Sequence, residues 1–327
     1  MGSEARGEKS GRVADGRGCG VEWCLSLGDA TTGRDKGVNR DRLEASHVAC
    51  RRLTRRAAGN FFVSFLGLSR QRFRAMCALY AFLRLTDDIG DEPGWSLEER
   101  EQRLSNWREH LRNALRGPDI PIVEPFDVFP ALVDAVSEFS IPEEELQAVI
   151  DGIAMDLQPR NYPTFDDLRV YCDRVAGAVG RCCLHIWGFH DPAALDTAAD
   201  CGLALQLTNI LRDIGEDAAM GRVYLPQEDL ARFGVAVDDL LAGRVDDRFC
   251  ELMKFEVSRA RQHYVLSEEL FGQIDPPGRP VLRAMLRVYG GLLDRIERVD
   301  YDVFGHTIRV AAWRKALIGV AAVLGRS

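Results

Sequence analysis

The sequence predicts an all-α protein, and three observations carry that prediction. From about residue 45 onward, apolar residues recur at intervals of three and four, the spacing of one helix face. Helix-start signals stand ahead of these runs. No alternating strand pattern interrupts them, and no short internal repeat appears.

Taken in order, residues 1–45 come first. They are rich in Gly and Arg without a sustained period and are expected to be disordered, which leaves 46–327 as the folded domain. Ser96 and Glu99 form a capping box ahead of Leu97, Leu104, Trp107, Leu111 and Leu115, and Gly117-Pro118 ends that helix. Pro142 takes a first-helical position before Leu146, Val149, Ile150 and Ile153. Thr164 with Asp167 is a second capping box. Asp191-Pro192 begins a helix whose apolar run reaches Ile214. Later helices are expected over 246–271, 279–299 and from 306 onward. Two segments, 76–85 and 201–214, are apolar almost all round and then turn acidic. A helix apolar on every side is buried, so polar residues set in it need partners.

Composition narrows the function. Hydrophobic residues make up 46% of 327, ordinary for a chain that buries a sizeable core. The formal net charge of -8 argues against general nucleic-acid affinity. Nine cysteines include no C-x-x-C pair and are read as reduced thiols of a cytoplasmic protein. No apolar run reaches the roughly 18 residues of a membrane span, and no signal-peptide apolar region follows the early charges. The glycines at 16–20 lack the spacing of a dinucleotide fingerprint.

Chemistry is concentrated in two acidic clusters. Asp87 and Asp91 lie one helical turn apart on one face, with Asp88 about 100° away. Asn209, Asp213 and Asp217 form a second stripe at i, i+4 and i+8, with Gln206 one turn earlier. Like charges at this spacing repel unless a cation bridges them, and magnesium suits that role with one or two carboxylates plus water and phosphate oxygens. Either cluster alone reads most simply as a solvated helix end. Together, each following a buried apolar helix and each with an arginine close by (Arg84 and Arg212), they point to a shared metal-diphosphate site. The exposed-looking group Arg51, Arg52, Arg55 and Arg56 is most simply a solvated face, with anionic lipid as the other reading.

The stretches YAFLRLTDDIGDE (80–92) and QLTNILRDIGED (206–217), the latter followed by GRVYLP (221–226), resemble the two aspartate-rich motifs of the squalene and phytoene synthase family. YCDRVAGAVG (171–180) and LLDRIERVDYD (292–302) are also similar, and the likeness spans about 61–314. The resemblance implies an isoprenoid synthase fold, a helical domain around a central cavity. It implies that Asp87, Asp88, Asp91, Asn209, Asp213 and Asp217 hold Mg2+ and two diphosphates. Arg84 and Arg212 would contact diphosphate oxygens, Tyr80, Tyr171, Tyr224 and Tyr289 would line the cavity, and Gln206, Asn209 and Asn60 would bind substrate. Two departures stand out: Ala57-Ala-Gly-Asn60 lacks the Ser or His that the family often carries there, and Asp173 replaces an aromatic or small residue.

The expected reaction joins two prenyl diphosphates head to head, with two farnesyl diphosphates giving presqualene diphosphate or squalene as the leading reading. The alternative is phytoene from two geranylgeranyl diphosphates. NADPH enters only if the product is squalene. Head-to-tail elongation or cyclisation is a further rival, and a non-catalytic helical subunit would show a broken metal motif, which this chain does not. The base is left between a cavity tyrosine and released diphosphate. Location is expected in the cytoplasm, with peripheral contact to the inner membrane face left open; oligomeric state is not legible.

Overall fold

The computed structural model describes residues 40–57, 60–117, 120–124, 126–158 and 160–309, apart from the side chains of 60 and 61. Among them there is no β-strand, only an isolated antiparallel bridge between Phe189 and Ile274. The first helices are α1 (Arg40–Ala57), α2 (Asn60–Phe65), α3 (Arg70–Asp91), α4 (Leu97–Arg116), α5 (Phe129–Phe139) and α6 (Glu143–Asp156). A nearly continuous rod follows, built from α7 (Phe165–Cys172), a π-turn (Asp173–Gly177) and α8 (Ala178–Trp187). Then come α9 (Ala194–Ala219), α10 (Gln227–Phe233), α11 (Val237–Leu241), α12 (Asp247–Ser267), α13 (Leu270–Gln273) and α14 (Arg279–Arg298).

The expected caps form. Ser96 accepts from the Glu99 amide while Glu99 accepts from the Ser96 amide, and Thr164 and Asp167 do the same. Three boundaries differ. Helix α1 begins at Arg40, inside the segment expected to be disordered; residues 1–39 lie outside the described residues. The helix expected from 306 is absent over 306–309, where Gly305 donates its amide to Asp302 in a turn; the remainder lies outside the described residues. The single helix expected over 246–271 breaks after Ser267, and α13 restarts it.

Helices α3 and α9 are the two axial members, flanked by neighbours on most sides. One apolar core joins α1, α3, α4, α5 and α8; a second joins α7, the later half of α9, α12 and α14. The rod α7–α8 meets α9 backbone to backbone. A Cβ on Gly202 would stand 2.5 Å from the Ala176 carbonyl, and one on Gly180 2.8 Å from the Ala198 oxygen, so glycine alone permits this approach. Asp173, unexplained in the sequence, ties the π-turn down. Its carboxylate accepts two bonds from Arg181, at 2.7 and 3.2 Å, and Arg181 also reaches Glu145 on α6 at 2.7 Å.

Candidate active site

The interior of the bundle holds a long cavity between α3, α8, α9 and α14. Met76 to Asp87 on α3 and Ala198 to Asn209 on α9 both line it, so it runs about 16 Å along the helix axes. One end is closed by apolar side chains, among them Phe65, Met76, Trp187 and Leu282. The other end carries Tyr80, Arg84, Asp87, Gln206, Asn209 and Tyr289. A molecule with an apolar tail and a charged head matches that polarity.

Each acidic cluster is positioned by the same device. Thr86, just before Asp87, donates to the Phe82 carbonyl at 2.8 Å and accepts from the Trp107 indole at 2.9 Å. Thr208, just before Asn209, donates to the Ala204 carbonyl at 2.8 Å and lies 2.9 Å from the Tyr264 hydroxyl. Both threonines are fully buried. Back-bonding to the i-4 carbonyl satisfies each hydroxyl inside an apolar helix, and a second helix pins it.

Asp87 is water-accessible, but only in a concave, crowded space. Surrounding protein and then the Asp91 charge push its carboxyl up to about 7, against Arg84, which pulls it down. Asp88 is held by Arg84 at 2.5 Å. On α9, Arg212 grips Asp213 with two bonds of 2.8 and 2.5 Å. Burial, then the Asp213 charge, push Asp217 up to about 7. Glu216 is exposed.

The expected residues do not all meet in one chamber. Asp213 and Arg212 line a groove beside it with residues 303–309, sharing Tyr289 with the main cavity. Asp217 lies in a small cavity with Arg222 and Tyr224. Tyr171 and Tyr224 do not line the main cavity, contrary to expectation. The reason is a buried acceptor: both hydroxyls donate to Asp156, at 2.7 and 2.8 Å, and the two rings stack at 5.2 Å. The side chain of Asn60 lies outside the described residues.

Two residues that sequence reasoning missed connect the clusters. Asp156 ends α6, and its carboxyl is raised by burial against the pull of the two tyrosines. Arg222 donates to Asp91 at 3.4 Å, while its amide donates to the Asp217 carbonyl at 2.8 Å. One signal for Asp156 was present: an acid in the last turn of a helix opposes the macrodipole and needs a reason to be there.

Among the described residues no three His, Cys, Asp or Glu side chains converge on a point. The donors nevertheless fit magnesium. They are hard carboxylate and amide oxygens, with acids one turn apart on each of two helices, and the mutual crowding of Asp87 with Asp91, and of Asp217 with Asp213, would be relieved by a cation. Such sites leave most of the octahedron to water and phosphate.

Residues 54–315 match the family model described as squalene/phytoene synthase. A phytoene synthase from Arthrospira platensis is 39% identical over 285 residues, 83% of this chain and 90% of that protein. The 15-cis-phytoene synthase of Synechococcus elongatus is 35% identical over 286 residues, 84% and 91% of the two chains. Of solved structures, a dehydrosqualene synthase in complex with ligand superposes with a TM-score of 0.76 at 27% identity, covering 86% of this chain and 96% of that one. Squalene synthase HpnC from Alicyclobacillus acidocaldarius gives 0.73 at 31%, covering 80% and 97%.

Proposed function

The chain belongs to the squalene/phytoene synthase family of prenyltransferases, and we propose that it joins two geranylgeranyl diphosphates head to head to give phytoene. The expectation of farnesyl diphosphate gives way to the alternative because the relatives at 39% and 35% identity are named phytoene synthases. That observation carries the choice of substrate. The apolar chamber of about 16 Å, ending at Asp87 and Asn209, supports the reaction type.

Magnesium, when bound, would neutralise a leaving diphosphate and so favour its departure. Asp87, Asp88 and Asp91 from α3 and Asn209, Asp213 and Asp217 from α9 would hold it. Arg84 and Arg212 occupy their neighbouring carboxylates in the free chain and would turn to diphosphate oxygens, which a planar guanidinium matches. The apolar walls keep water from the allylic cation, and the Tyr80 and Tyr289 rings face the same space. Burial pushes the Tyr80 phenol up to about 12, which leaves almost no phenolate at neutral pH. Phytoene forms by proton loss without reduction, so NADPH has no part in this reading.

The test supplies the protein with magnesium and either farnesyl or geranylgeranyl diphosphate, with and without NADPH, and identifies the lipid by mass. Phytoene from the longer substrate, independent of NADPH, is the expected result. Product from farnesyl diphosphate alone would return the assignment to squalene-type chemistry, and no product from either would remove the enzymatic reading.

A further inference from the structure

The two acidic helix ends share a third arginine, and it is held differently from the other two. Arg84 binds Asp88 and Arg212 binds Asp213, each a carboxylate of its own helix. Arg222 instead reaches across. Its guanidinium meets Asp91 of α3 at 3.4 Å, while its amide donates to the Asp217 carbonyl near the end of α9 at 2.8 Å. Burial raises the carboxyls of Asp217 and Asp156, and the charge of Arg222 draws both down. One cation therefore serves acids from α3, α6 and α9.

The base of this arm is firm and its head is loose. Gly221, at a φ of 75° that favours glycine, turns the chain out of α9, and its amide donates to the Ala218 carbonyl at 2.9 Å. Two residues after Arg222, the Tyr224 hydroxyl donates to Asp156 at 2.8 Å, and its ring stacks on Tyr171 at 5.2 Å and on Tyr162 at 6.0 Å. The main chain is thus fixed on both sides of Arg222. Its guanidinium makes one long bond to Asp91, whose side chain is 68% exposed, and such a pair is weak. The charge can leave Asp91 without disturbing the loop that carries it.

We propose that Arg222 is a built-in counter-cation, which partly neutralises the space between the two acidic ends and yields Asp91 when a divalent ion enters. It is a positioning residue, acting through Asp91 and Asp217, and it sets the metal concentration at which the site fills. Its charge competes with the ion for the same carboxylate and repels the ion at short range. A guanidinium offers only donors, so it can hold the acids apart from one another but cannot gather water and phosphate oxygens as magnesium does. The inference rests on the proposed function, whose metal-diphosphate site it takes as given.

The experiment titrates the full chain with manganese(II), without substrate, and follows the electron paramagnetic resonance signal of the free ion, which falls as it binds. Manganese takes the same oxygen donors as magnesium, and magnesium is added as a competitor. Arg222→Gln should tighten binding about three- to tenfold, the effect of one charge on a divalent ion several ångströms away in partly aqueous surroundings. Arg222→Lys keeps the charge and should bind as the unaltered chain does. Arg112→Gln, at an exposed position on α4, removes the same net charge and should change binding little. Far-UV circular dichroism checks that each variant is folded. Unchanged or weaker binding in Arg222→Gln, an equal gain in Arg112→Gln, the same shift in Arg222→Lys as in Arg222→Gln, or no binding to any of these proteins would each overturn the proposal. Turnover of geranylgeranyl diphosphate in the same preparations separates the two readings. Product with unaltered metal affinity in Arg222→Gln sinks the counter-cation alone, and tighter metal binding without product from any of the proteins sinks the reaction alone.

Discussion

The acidic ends of α3 and α9 are built alike and used differently. Each follows a buried threonine pinned by a neighbouring helix, each has one carboxylate held by an arginine of its own helix, and each has one carboxylate raised to about 7. The difference lies in what they face. On α3 the raised carboxylate, Asp87, opens into the apolar chamber. On α9 the chamber sees only the neutral amides Gln206 and Asn209, while Asp213 and Asp217 lie in adjoining recesses. One acidic helix end therefore touches the apolar chamber, and the other sits in recesses beside it. The lesson is that equal motifs need not be equal sites, because one turn of helix decides which side chain meets the ligand.

The largest expected effect tests whether both ends are needed. Asp87→Ala and Asp213→Ala should each lower kcat by roughly 100- to 1,000-fold or more while far-UV circular dichroism stays unchanged. Retained turnover in one of them would break the pairing and leave a single metal-binding end. Next in size is the pinning of the two threonines. Thr86→Val leaves the Trp107 indole, only 3% exposed, without its acceptor and should destabilise by about 1–3 kcal/mol in denaturant unfolding. Thr208→Val should cost less, about 1 kcal/mol or under, because Tyr264 is half-buried and has access to water. The reverse order would show that α9, not α3, is the more rigidly held.

Arg222 tests the link between the ends. Asp91 is exposed, so the direct pair is weak, and a double-mutant cycle of Asp91→Asn with Arg222→Gln should give a coupling below about 1 kcal/mol in stability. A larger value would make Arg222 a structural clamp.

The smallest effect is a pH dependence. Asp87 and Asp217 titrate near 7 in the folded, metal-free chain against an ordinary 3.8. The folded state therefore binds these protons more tightly, and their stabilisation, greatest below about 4, is lost as pH rises through about 7. Replacing either with Asn should raise Tm at pH 8 relative to pH 5 by about 2 °C, roughly 1 kcal/mol after allowing for solvent screening. An unchanged difference between the two pH values would mean that neighbouring water already solvates these carboxylates.

Much of this was legible in the sequence. The capping boxes at Ser96 and Thr164 act over three residues and are written in the chain itself. The acidic stripes follow from helical period once the helices are granted. What was not legible depends on contacts between distant elements. The π-turn at 173–177 is shaped by Arg181 and by the close pass of α9, and no local pattern announces it. The placement of Tyr171 and Tyr224 away from the main cavity depends on Asp156, which reaches them from another helix. Over 306–309 the helix expected from 306 is replaced by a turn, and Val303 and Ile308 serve the groove beside Arg212 instead.

The glycine contact between α9 and the π-turn has a consequence for how this enzyme could diversify. Gly180 and Gly202 both line the chamber, and neither has room for even a methyl group. At those two positions the wall is main chain, set among replaceable side chains such as Val175, Val179 and Leu205. A lineage that changes the length or bulk of its substrate has to work around these two glycines, on side chains such as Val179, Leu205, Met76, Leu282 and Met285. Adaptable thioethers among those side chains make a chamber pinned at one helix contact and open to reshaping around it.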